Sequence, residues 1–361
     1  MINFKIFEKI DKEFLENLNI AKNNNIFWVF QLPEWINAVI NNSKNLYKLK
    51  IVFIYNGNDI ILVAPLCIRM VYGCKELSWL SSDIIDYNSA IISDLFDYND
   101  SNFKNIWKII LKDLQKECDL VFFNKIPEFI KFKKNPLIDC NYKCYQKSYQ
   151  LNLNEFDYNS FYNKKNNNKS QQTDRRKEKK LNDNANLIYS YEKVNFTNFK
   201  LVEKLIFDKM SFYKNKKEKT FDYKVIVNQY KELVSCENSE YKFNLSILKK
   251  NNVKISTILG VIFNKIYYYL IAVTHNSEFI KFSPGRFHII NLINWSIANN
   301  IQSIDFTGGD ELYKRSWSNN DFRMFYYIKP LNLKGLIRAI FLNLYYKLRK
   351  NYILKKIYNF I

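Results

Sequence analysis

Glycine, histidine and arginine are scarce in this chain of 361 residues. It contains seven glycines and two histidines, and only eight of its 55 basic residues are arginines. With two histidines, a histidine-based metal site would need unusual support from carboxylates, so the sequence predicts no bound metal. Neither Ser-His-Asp nor Cys-His catalysis has a local signature. The sequence also lacks the phosphate loop of NTPases, the Gly-x-Ser-x-Gly turn of hydrolases and the His-Glu-x-x-His helix of zinc proteases.

Long apolar runs and closely paired cysteines are missing as well. No stretch approaches the ~20 apolar residues of a membrane-spanning helix. The N-terminal segment MINFKIFEKIDKEF contains acidic residues and lacks the apolar core of a signal peptide. Of the six cysteines, only Cys140 and Cys144 are close in sequence. The sequence therefore predicts a cytoplasmic protein with reduced thiols.

Aromatic residues and lysines are abundant. With 29 Phe, 26 Tyr and an apolar fraction of 47%, the chain can bury globular cores. The formal net charge of +20 admits two interpretations, a solvated surface in a compositionally biased sequence or a surface for nucleic acid or membrane. The arginines are the more informative cations, because a lysine cannot replace the planar guanidinium group. Five of them lie between the middle of the chain and its tail: Arg175, Arg176, Arg286, Arg315 and Arg323.

The alternation of elements predicts an α+β protein with two domains and a helical tail. Residues 1–150 alternate helices with strand-like runs, and Asn56-Gly57 indicates a hairpin. Residues 151–330 contain two helices, three strands in an antiparallel meander, a Ser-Pro-Gly turn, a further helix and two more strands around a short helix. We expect mixed sheets flanked by helices in both domains. Residues 331–361 form the tail.

Two basic segments each leave two interpretations open. Residues 164–180 contain eight basic and two acidic residues, which fits a linker or an exposed helix end, while Arg175 and Arg176 could bind an anion. The tail, residues 331–361, has seven basic residues and no acidic ones. It predicts a basic amphipathic helix that either packs on the protein body or lies on a membrane surface.

The Ser283-Pro284-Gly285 turn at the start of an apolar helix suits a phosphate. Ser283 can cap the helix, Pro284 sets the turn, and Gly285 allows a ligand to approach the backbone. The amides of Arg286, Phe287 and His288 would then point outward with the helix dipole behind them. An ordinary capped helix remains the alternative.

The order of three strands, a glycine turn, a helix and a strand resembles the core of GNAT N-acyltransferases. The resemblance narrows to the CelD-like acetyltransferase family, which is associated with cellulose and exopolysaccharide biosynthesis. That family's pattern of small-Pro-Gly, helix, Asp-Phe, Gly-Asp-Glu, Tyr-Lys and Trp has its counterpart here in Ser283-Pro284-Gly285, Asp305-Phe306, Gly309-Asp310-Glu311, Tyr313-Lys314 and Trp317. FQLPEW and DRRKEKKL also resemble family segments, and Gly308 is a minor departure. The FemABX transferases, with two GNAT-like domains, are similar in architecture, so the resemblance implies two tandem GNAT-like domains.

The resemblance implies direct transfer of an acyl group from acetyl-CoA or another acyl-CoA to an amine. A backbone N–H of Ala272, Val273 or Thr274 would contact the thioester oxygen as it becomes negative. The pyrophosphate would lie on Ser283, Gly285 and the amides that follow them.

An amine must be neutral to attack, so the resemblance also implies a base. Asp305 is the favoured base. Asp310 and Glu311 are rivals that could instead cap the short helix or bind a sugar, and His275 is an outside candidate. Tyr313 could donate a proton to the departing thiolate or simply pack.

Five residues are candidates for acceptor or adenosine-phosphate binding: Arg175, Arg176, Gly309, Lys314 and Trp317. Lys314 and Arg315 could equally form a solvated pair.

Three functions remain open at this stage. The first is acyl transfer to an amine, for example an amino-sugar in polysaccharide biosynthesis. The second is a FemABX-like aminoacyl transfer from tRNA in cell-wall synthesis, which the basic surface favours. The third is a non-enzymatic scaffold that contacts an anionic membrane through its tail.

Overall fold

The computed structural model describes residues 2–23, 27–43, 47–81, 84–97, 101–130, 133–154, 157–165, 168–182, 187–215, 222–236, 240–275 and 278–348. The chain divides into two compact units. The first combines Met1–Lys147 with Phe322–Ile361, and the second is Ser148–Asp321. The chain therefore returns to the first unit at Phe322, inside the range 151–330 that the sequence analysis assigned to the second domain.

The first unit begins with an antiparallel sheet and helices. Its elements, together with the strand that leads into the second unit, are Ile2–Phe7 (β1), Lys12–Asn23 (α1), Pro33–Asn42 (α2), Tyr47–Asn56 (β2), Asp59–Val71 (β3), Cys74–Trp79 (β4), Ile91–Ile92 (β5), Ser101–Gln115 (α3), Leu120–Pro127 (β6), Phe129–Ile130 (β7), Lys133–Lys134 (β8) and Lys143–Asn152 (β9). The hairpin predicted at Asn56-Gly57 joins β2 and β3, with Asn56 opposite Asp59. Helix α3 precedes β6, which pairs in parallel with β4.

The second unit contains a mixed sheet with helices. Its further elements are Tyr158–Lys165 (α4), Asn168–Asn182 (α5), Leu187–Lys193 (β10), Phe199–Asn215 (α6), Tyr223–Ser235 (α7), Lys242–Lys250 (β11), Val253–Phe263 (β12), Ile266–Thr274 (β13), Pro284–Ala298 (α8), Ser303–Asp305 (β14) and Leu312–Ser316 (α9). The strand order is β9-β14-β13-β12-β11-β10. Strands β13 and β14 are parallel, and the other neighbours are antiparallel. The predicted α+β class is therefore confirmed.

The predicted meander of β11, β12 and β13 has two tight turns. Asn251 and Asn252 have φ values of 50° and 64°, and Asn264 and Lys265 have 49° and 59°. Two consecutive left-handed residues are typical of a type I′ hairpin turn, whose twist matches that of the strands. Asparagine tolerates this conformation better than most residues. The local sequence therefore fixes the meander.

Helix α8 connects β13 to β14 and covers the sheet. Its Ile289, Leu292 and Ile293 are buried in a cluster with Ile304 and Phe306. These apolar side chains recur at helical spacing, so one stripe of the helix meets the sheet. This packing fixes where α8 begins relative to the end of β14.

The chain then returns to the first unit through Asn320–Pro330 (β15) and Leu333–Leu348 (α10). From Met324 onward β15 pairs antiparallel with β6. Helix α10 packs on the first unit through buried Ala339, Leu342 and Tyr346. The tail beyond Leu348 lies outside the described residues. Among the described helices, none combines the length and apolar character needed to cross a bilayer.

Candidate functional site

Strands β13 and β14 separate beside the end of β14, which opens an edge in the sheet of the second unit. Their parallel pairing runs from Ile266 to Tyr268 on β13 and ends opposite Asp305. Strand β13 continues for six more residues to Thr274. Beyond Tyr268, the main-chain groups on the β14 side of β13 therefore do not pair with β14.

The main chain of Ala272 faces this open edge. Its carbonyl accepts a hydrogen bond from Lys209 Nζ on α6 at 3.1 Å. The amide of His275 points the other way, to a carbonyl of β12 at 3.1 Å. Because successive residues of a strand alternate in direction, Val273 faces β12, and Thr274 faces the open edge together with Ala272.

The start of α8 offers fewer free amides than the sequence suggests. Ser283 has a left-handed backbone with φ 59°, and its amide donates to Ile280 O at 3.0 Å. Pro284 has no N–H, and the amide of Arg286 donates to Ser283 O at 3.0 Å. The expected free amide of Arg286 is therefore engaged. Among the amides from residue 283 to residue 286, all of which the structure describes, the Gly285 N–H is the one left to donate to a ligand.

A lysine lies beside this helix start. Lys177 Nζ donates to Ser283 Oγ at 2.9 Å, so the hydroxyl does not cap the helix as expected. A Cβ on Gly285 would come within 2.8 Å of Thr274 Oγ1 on β13. The helix start thus combines the positive end of a dipole, a lysine cation and a close backbone approach, which fits an anionic phosphate group.

The side chain of Arg286 is held by neighbours rather than presented to solvent. Its Nη2 and Nε lie 2.7 and 2.9 Å from Asp174 Oδ2 on α5. The same carboxylate accepts a hydrogen bond from Tyr162 at 2.6 Å, which together with burial raises the pKa of Tyr162. The guanidinium also lies 4.8 Å from the ring centre of Trp317. Trp317, a candidate substrate residue, is buried in the core under Arg286.

Arg175 and Arg176 are exposed on α5. Their neighbours Asp174 and Lys177, on the same helix, make the contacts with the start of α8. The structure therefore brings two residues of this basic segment to the candidate phosphate site, and they are not the two arginines selected from the sequence.

An α-helix leaves only its first four N–H groups unpaired. Phe287 and His288 come after these four in α8, so their amides are not the free donors that the sequence suggested. Both side chains are buried. The His288 ring lies between Ser246 Oγ at 2.7 Å and Ser256 Oγ at 2.9 Å. Burial lowers the pKa of His288 to about 3, so this ring is a neutral core residue at physiological pH.

His275 lies at the end of β13 with both ring nitrogens near partners. Its Nε2 is 2.9 Å from Thr257 Oγ1, and its Nδ1 is 3.7 Å from Asp208 Oδ2 on α6. Burial lowers its pKa, and the Asp208 charge acts in the opposite direction. A neutral imidazole can accept a proton, so His275 remains a candidate base.

Asp305 is fully buried at the end of β14. Its Oδ1 accepts the Thr307 amide at 2.7 Å, and its Oδ2 accepts Gln150 Nε2 at 2.8 Å. These bonds hold the carboxylate at the point where β13 and β14 separate. The role of Asp305 as base stays a prediction.

The segment after β14 is fixed by contacts that the sequence did not reveal. The Tyr149 hydroxyl donates to Asp310 Oδ1 at 2.6 Å. Lys314 Nζ lies 3.1 Å from Glu311 Oε2 and donates to the Gly308 carbonyl. Lys314 is only 5% exposed, so it does not belong to the solvated pair that was considered for it.

Gly309 and Tyr313 complete this segment. Gly309 has φ 118°, in the left-handed region that favours glycine. The ring centre of Tyr313 lies 6.4 Å from that of Tyr269 on β13. Burial, with smaller contributions from Tyr269 and Glu311, raises its pKa, so the phenol keeps its proton at neutral pH.

Sequence reasoning missed four residues of this region: Tyr149, Asp174, Lys177 and Lys209. Each contacts a predicted residue from at least 60 positions away in the sequence. Asp174 and Lys177 lie within the DRRKEKKL segment but were not selected from it, and no local motif marks Tyr149 or Lys209. Only the packing of β9, α5 and α6 brings the four residues here. Within the described ranges, no three His, Cys, Asp or Glu side chains gather as a metal site requires.

The mixed sheet, the open edge and the helix that begins beside it are features of the second unit, and the α+β fold of the chain matches that of tandem GNAT structures. The chain is similar to the crystal structure of FemX, with a TM-score of 0.59, 13% identity and coverage of 94% of this chain and 99% of FemX. It is also similar to a conserved protein of unknown function from Bacteroides thetaiotaomicron, with a TM-score of 0.51, 9% identity and coverage of 90% and 99%. At these identities the likeness shows the fold.

More particularly, residues 168–315 match the family model described as an acetyltransferase (GNAT) domain. The chain therefore contains a GNAT acyltransferase domain, and the resemblance to CelD-like acetyltransferases is confirmed. This family implies an acyl-CoA co-substrate. A search of curated proteins found no match to the chain.

Proposed function

We propose that the protein transfers an acyl group, in the first instance acetyl, from acyl-CoA to an amine. The proposed acceptor is an amino-sugar used in polysaccharide biosynthesis, and the proposed place is the cytoplasm. One observation carries the proposal: in a GNAT domain, the edge of β13 that opens beyond Asp305 leads to the Gly285 amide at the start of α8.

Acyl-CoA would lie along this edge. The Gly285 amide and Lys177 would bind the pyrophosphate, because both are positive groups at a helix N-terminus. The N–H groups of Ala272 and Thr274 would serve the pantetheine arm and the thioester oxygen, which becomes negative in the transition state. Lys209 would have to leave the Ala272 carbonyl for that carbonyl to accept a bond from the arm.

The amine would attack the thioester carbon, so that a C–N bond forms and the C–S bond breaks. Asp305 would accept the amine proton, with Asp310, Glu311 and His275 as alternative bases. Tyr313, which is protonated at neutral pH, would return a proton to the thiolate. Gly309, Lys314 and Trp317 would shape the acceptor side.

Calorimetric titration with acetyl-CoA tests the site. A Gly285→Glu variant should lose binding, because its side chain fills the approach to the helix start and repels phosphate. Asn299→Glu, at the exposed C-terminal end of the same helix, is the matched control and should bind as the wild type does. Unchanged binding by Gly285→Glu would remove the site assignment.

A second candidate is aminoacyl transfer from tRNA, which the exposed Arg175 and Arg176 favour. Binding of tRNA to these residues would fall steeply with salt concentration, since each phosphate contact releases a counterion. Arg175→Gln with Arg176→Gln should then weaken tRNA binding and reduce its salt dependence. Full activity with acyl-CoA in the absence of tRNA would dismiss this candidate.

A further inference from the structure

The outer face of α10 in the first unit is a continuous apolar stripe. Six large apolar side chains recur there at helical spacing, each between 44% and 73% exposed: Leu333, Leu336, Ile337, Ile340, Phe341 and Leu344. Soluble proteins rarely expose a contiguous apolar patch of this kind without a use for it. We call this set the α10 stripe.

The inner face of the same helix is firmly attached to the first unit. Arg338 Nε donates to Glu76 Oε1 at 2.7 Å, and Glu76 is fully buried. A Cβ on Gly335 would lie 1.8 Å from the Asp119 carbonyl oxygen, so only glycine permits this approach of the helix to the residue that precedes β6. The α10 stripe is therefore the free side of a docked helix.

The tip of the β3–β4 hairpin lies beside α10. Its Tyr72 is 89% exposed. The Arg338 guanidinium lies 5.4 Å from the Tyr72 ring centre, which places the hairpin tip beside α10. Tyrosine favours the boundary between headgroups and acyl chains, because its ring is apolar and its hydroxyl is polar.

The charges around the α10 stripe select the partner. Lys334 and Lys347 are exposed on α10, and the helix Leu333–Leu348 contains no acidic residue. A symmetric pair of chains would place the same surface on both sides of the interface, which would bring like charges together at a cost. An anionic lipid surface instead complements them.

We propose that the α10 stripe, together with Tyr72 at the β3–β4 hairpin tip, docks on the surface of an anionic lipid bilayer. The apolar side chains enter the boundary of the acyl chains, and the lysines contact the headgroups. The helix lies in the plane of the interface and does not cross it. This proposal concerns the first unit and is independent of the reaction at the second.

Co-sedimentation of the full chain with vesicles tests the proposal. One set of vesicles contains phosphatidylglycerol in phosphatidylcholine, and the other contains phosphatidylcholine alone. The wild type should bind the anionic vesicles, and high salt should weaken this binding. An Ile337→Ser, Ile340→Ser variant should bind them about tenfold or more weakly, because two apolar side chains leave the interface.

A matched control removes two exposed apolar residues from another helix of the same unit. Leu15→Ser with Ile20→Ser on α1, where the residues are 40% and 52% exposed, should leave vesicle binding unchanged. Lys334→Gln with Lys347→Gln should lower binding to anionic vesicles roughly tenfold or more and leave binding to neutral vesicles unchanged. Circular dichroism checks that each variant is folded.

Three results would overturn the proposal. The wild type could fail to bind anionic vesicles. The α1 and α10 variants could lose binding equally, which would make the effect nonspecific. Sedimentation velocity could reveal a dimer that Ile337→Ser with Ile340→Ser dissociates while no vesicle binding is seen, which would assign the stripe to a second copy of the chain.

Discussion

The Tyr149 hydroxyl donates a hydrogen bond of 2.6 Å to Asp310 Oδ1, across 161 positions of sequence. The bond connects β9 to the glycine-containing segment that follows β14. Burial raises the pKa of Tyr149 to about 12, with a further contribution from the Asp310 carboxylate. The phenol is therefore protonated and available as a donor throughout the physiological pH range.

Replacing Tyr149 by phenylalanine should lower the free energy of unfolding by about 2 kcal/mol, since one hydrogen bond to a carboxylate is lost. Urea denaturation measures this change. Combining it with Asp310→Asn in a double-mutant cycle should reveal coupling. Tyr241→Phe, which removes a bond to the Leu233 carbonyl, is the control and should show no coupling to Asp310→Asn. Additive effects for Tyr149 and Asp310 would mean that the bond contributes nothing.

An Asp305→Asn variant should lower turnover with acyl-CoA by roughly 10²–10⁴-fold, the usual range for loss of a general base. Calorimetry should find its affinity for CoA unchanged, because the proposed site puts Asp305 beside the acyl group and away from the pyrophosphate. Gln150→Met leaves the carboxylate in place and removes only one donor to it, so its turnover should fall less. Normal turnover in Asp305→Asn would transfer the role to Asp310, Glu311 or His275.

Lys209→Met should increase the affinity for CoA. The lysine donates to the Ala272 carbonyl, and the pantetheine arm would have to compete for that acceptor. Methionine keeps most of the length of the side chain and removes the donor. Lys204→Met is the comparison variant, since Lys204 lies on the same helix and pairs with Asp208 at 2.9 Å. Weaker CoA binding in Lys209→Met would show that the lysine contributes to the donor site instead.

His288 should make the protein sensitive to acid. Its pKa falls from about 6.5 in the unfolded chain to about 3 in the folded protein, so the unfolded chain binds an extra proton between these values. Stability therefore decreases as the pH falls through this window. Between pH 7 and pH 5 the histidine should cost about 2 kcal/mol.

Urea denaturation at the two pH values measures this loss. A His288→Gln variant should lose less stability than the wild type on going from pH 7 to pH 5. The control variant His275→Gln should still show the loss of stability that is due to His288. An equal pH dependence in His288→Gln and wild type would contradict the assignment.

Local sequence predicted much of the fold of the second unit. The asparagine turns fix the meander of β11, β12 and β13, because few residues adopt consecutive left-handed conformations at low cost. The Pro284-Gly285 pair predicts the start of α8, and the structure begins the helix at Pro284. The strand β10 was missed because its polar residues Ser190, Glu192 and Lys193 obscure the alternation.

Other features could not be read from local pattern. The amide of Arg286 bonds to the carbonyl of Ser283, and Ser283 adopts a left-handed conformation that an apolar helix start does not predict. Trp317 and Lys314, selected as substrate residues, are buried by the packing of α9 against the core. The tail helix packs on one face, as one of its two interpretations expected, and exposes an apolar stripe on the other.

The sequence by itself determined the meander of β11, β12 and β13, the helix and strand that follow it and the GNAT character of residues 168–315, because periodicity, turn residues and motif spacing act over short distances along the chain. The tertiary structure decided which groups share the site. Tyr149, Asp174, Lys177 and Lys209 come from separate elements, and their positions depend on how those elements pack. That packing is a property of the whole folded unit, and no short segment contains it.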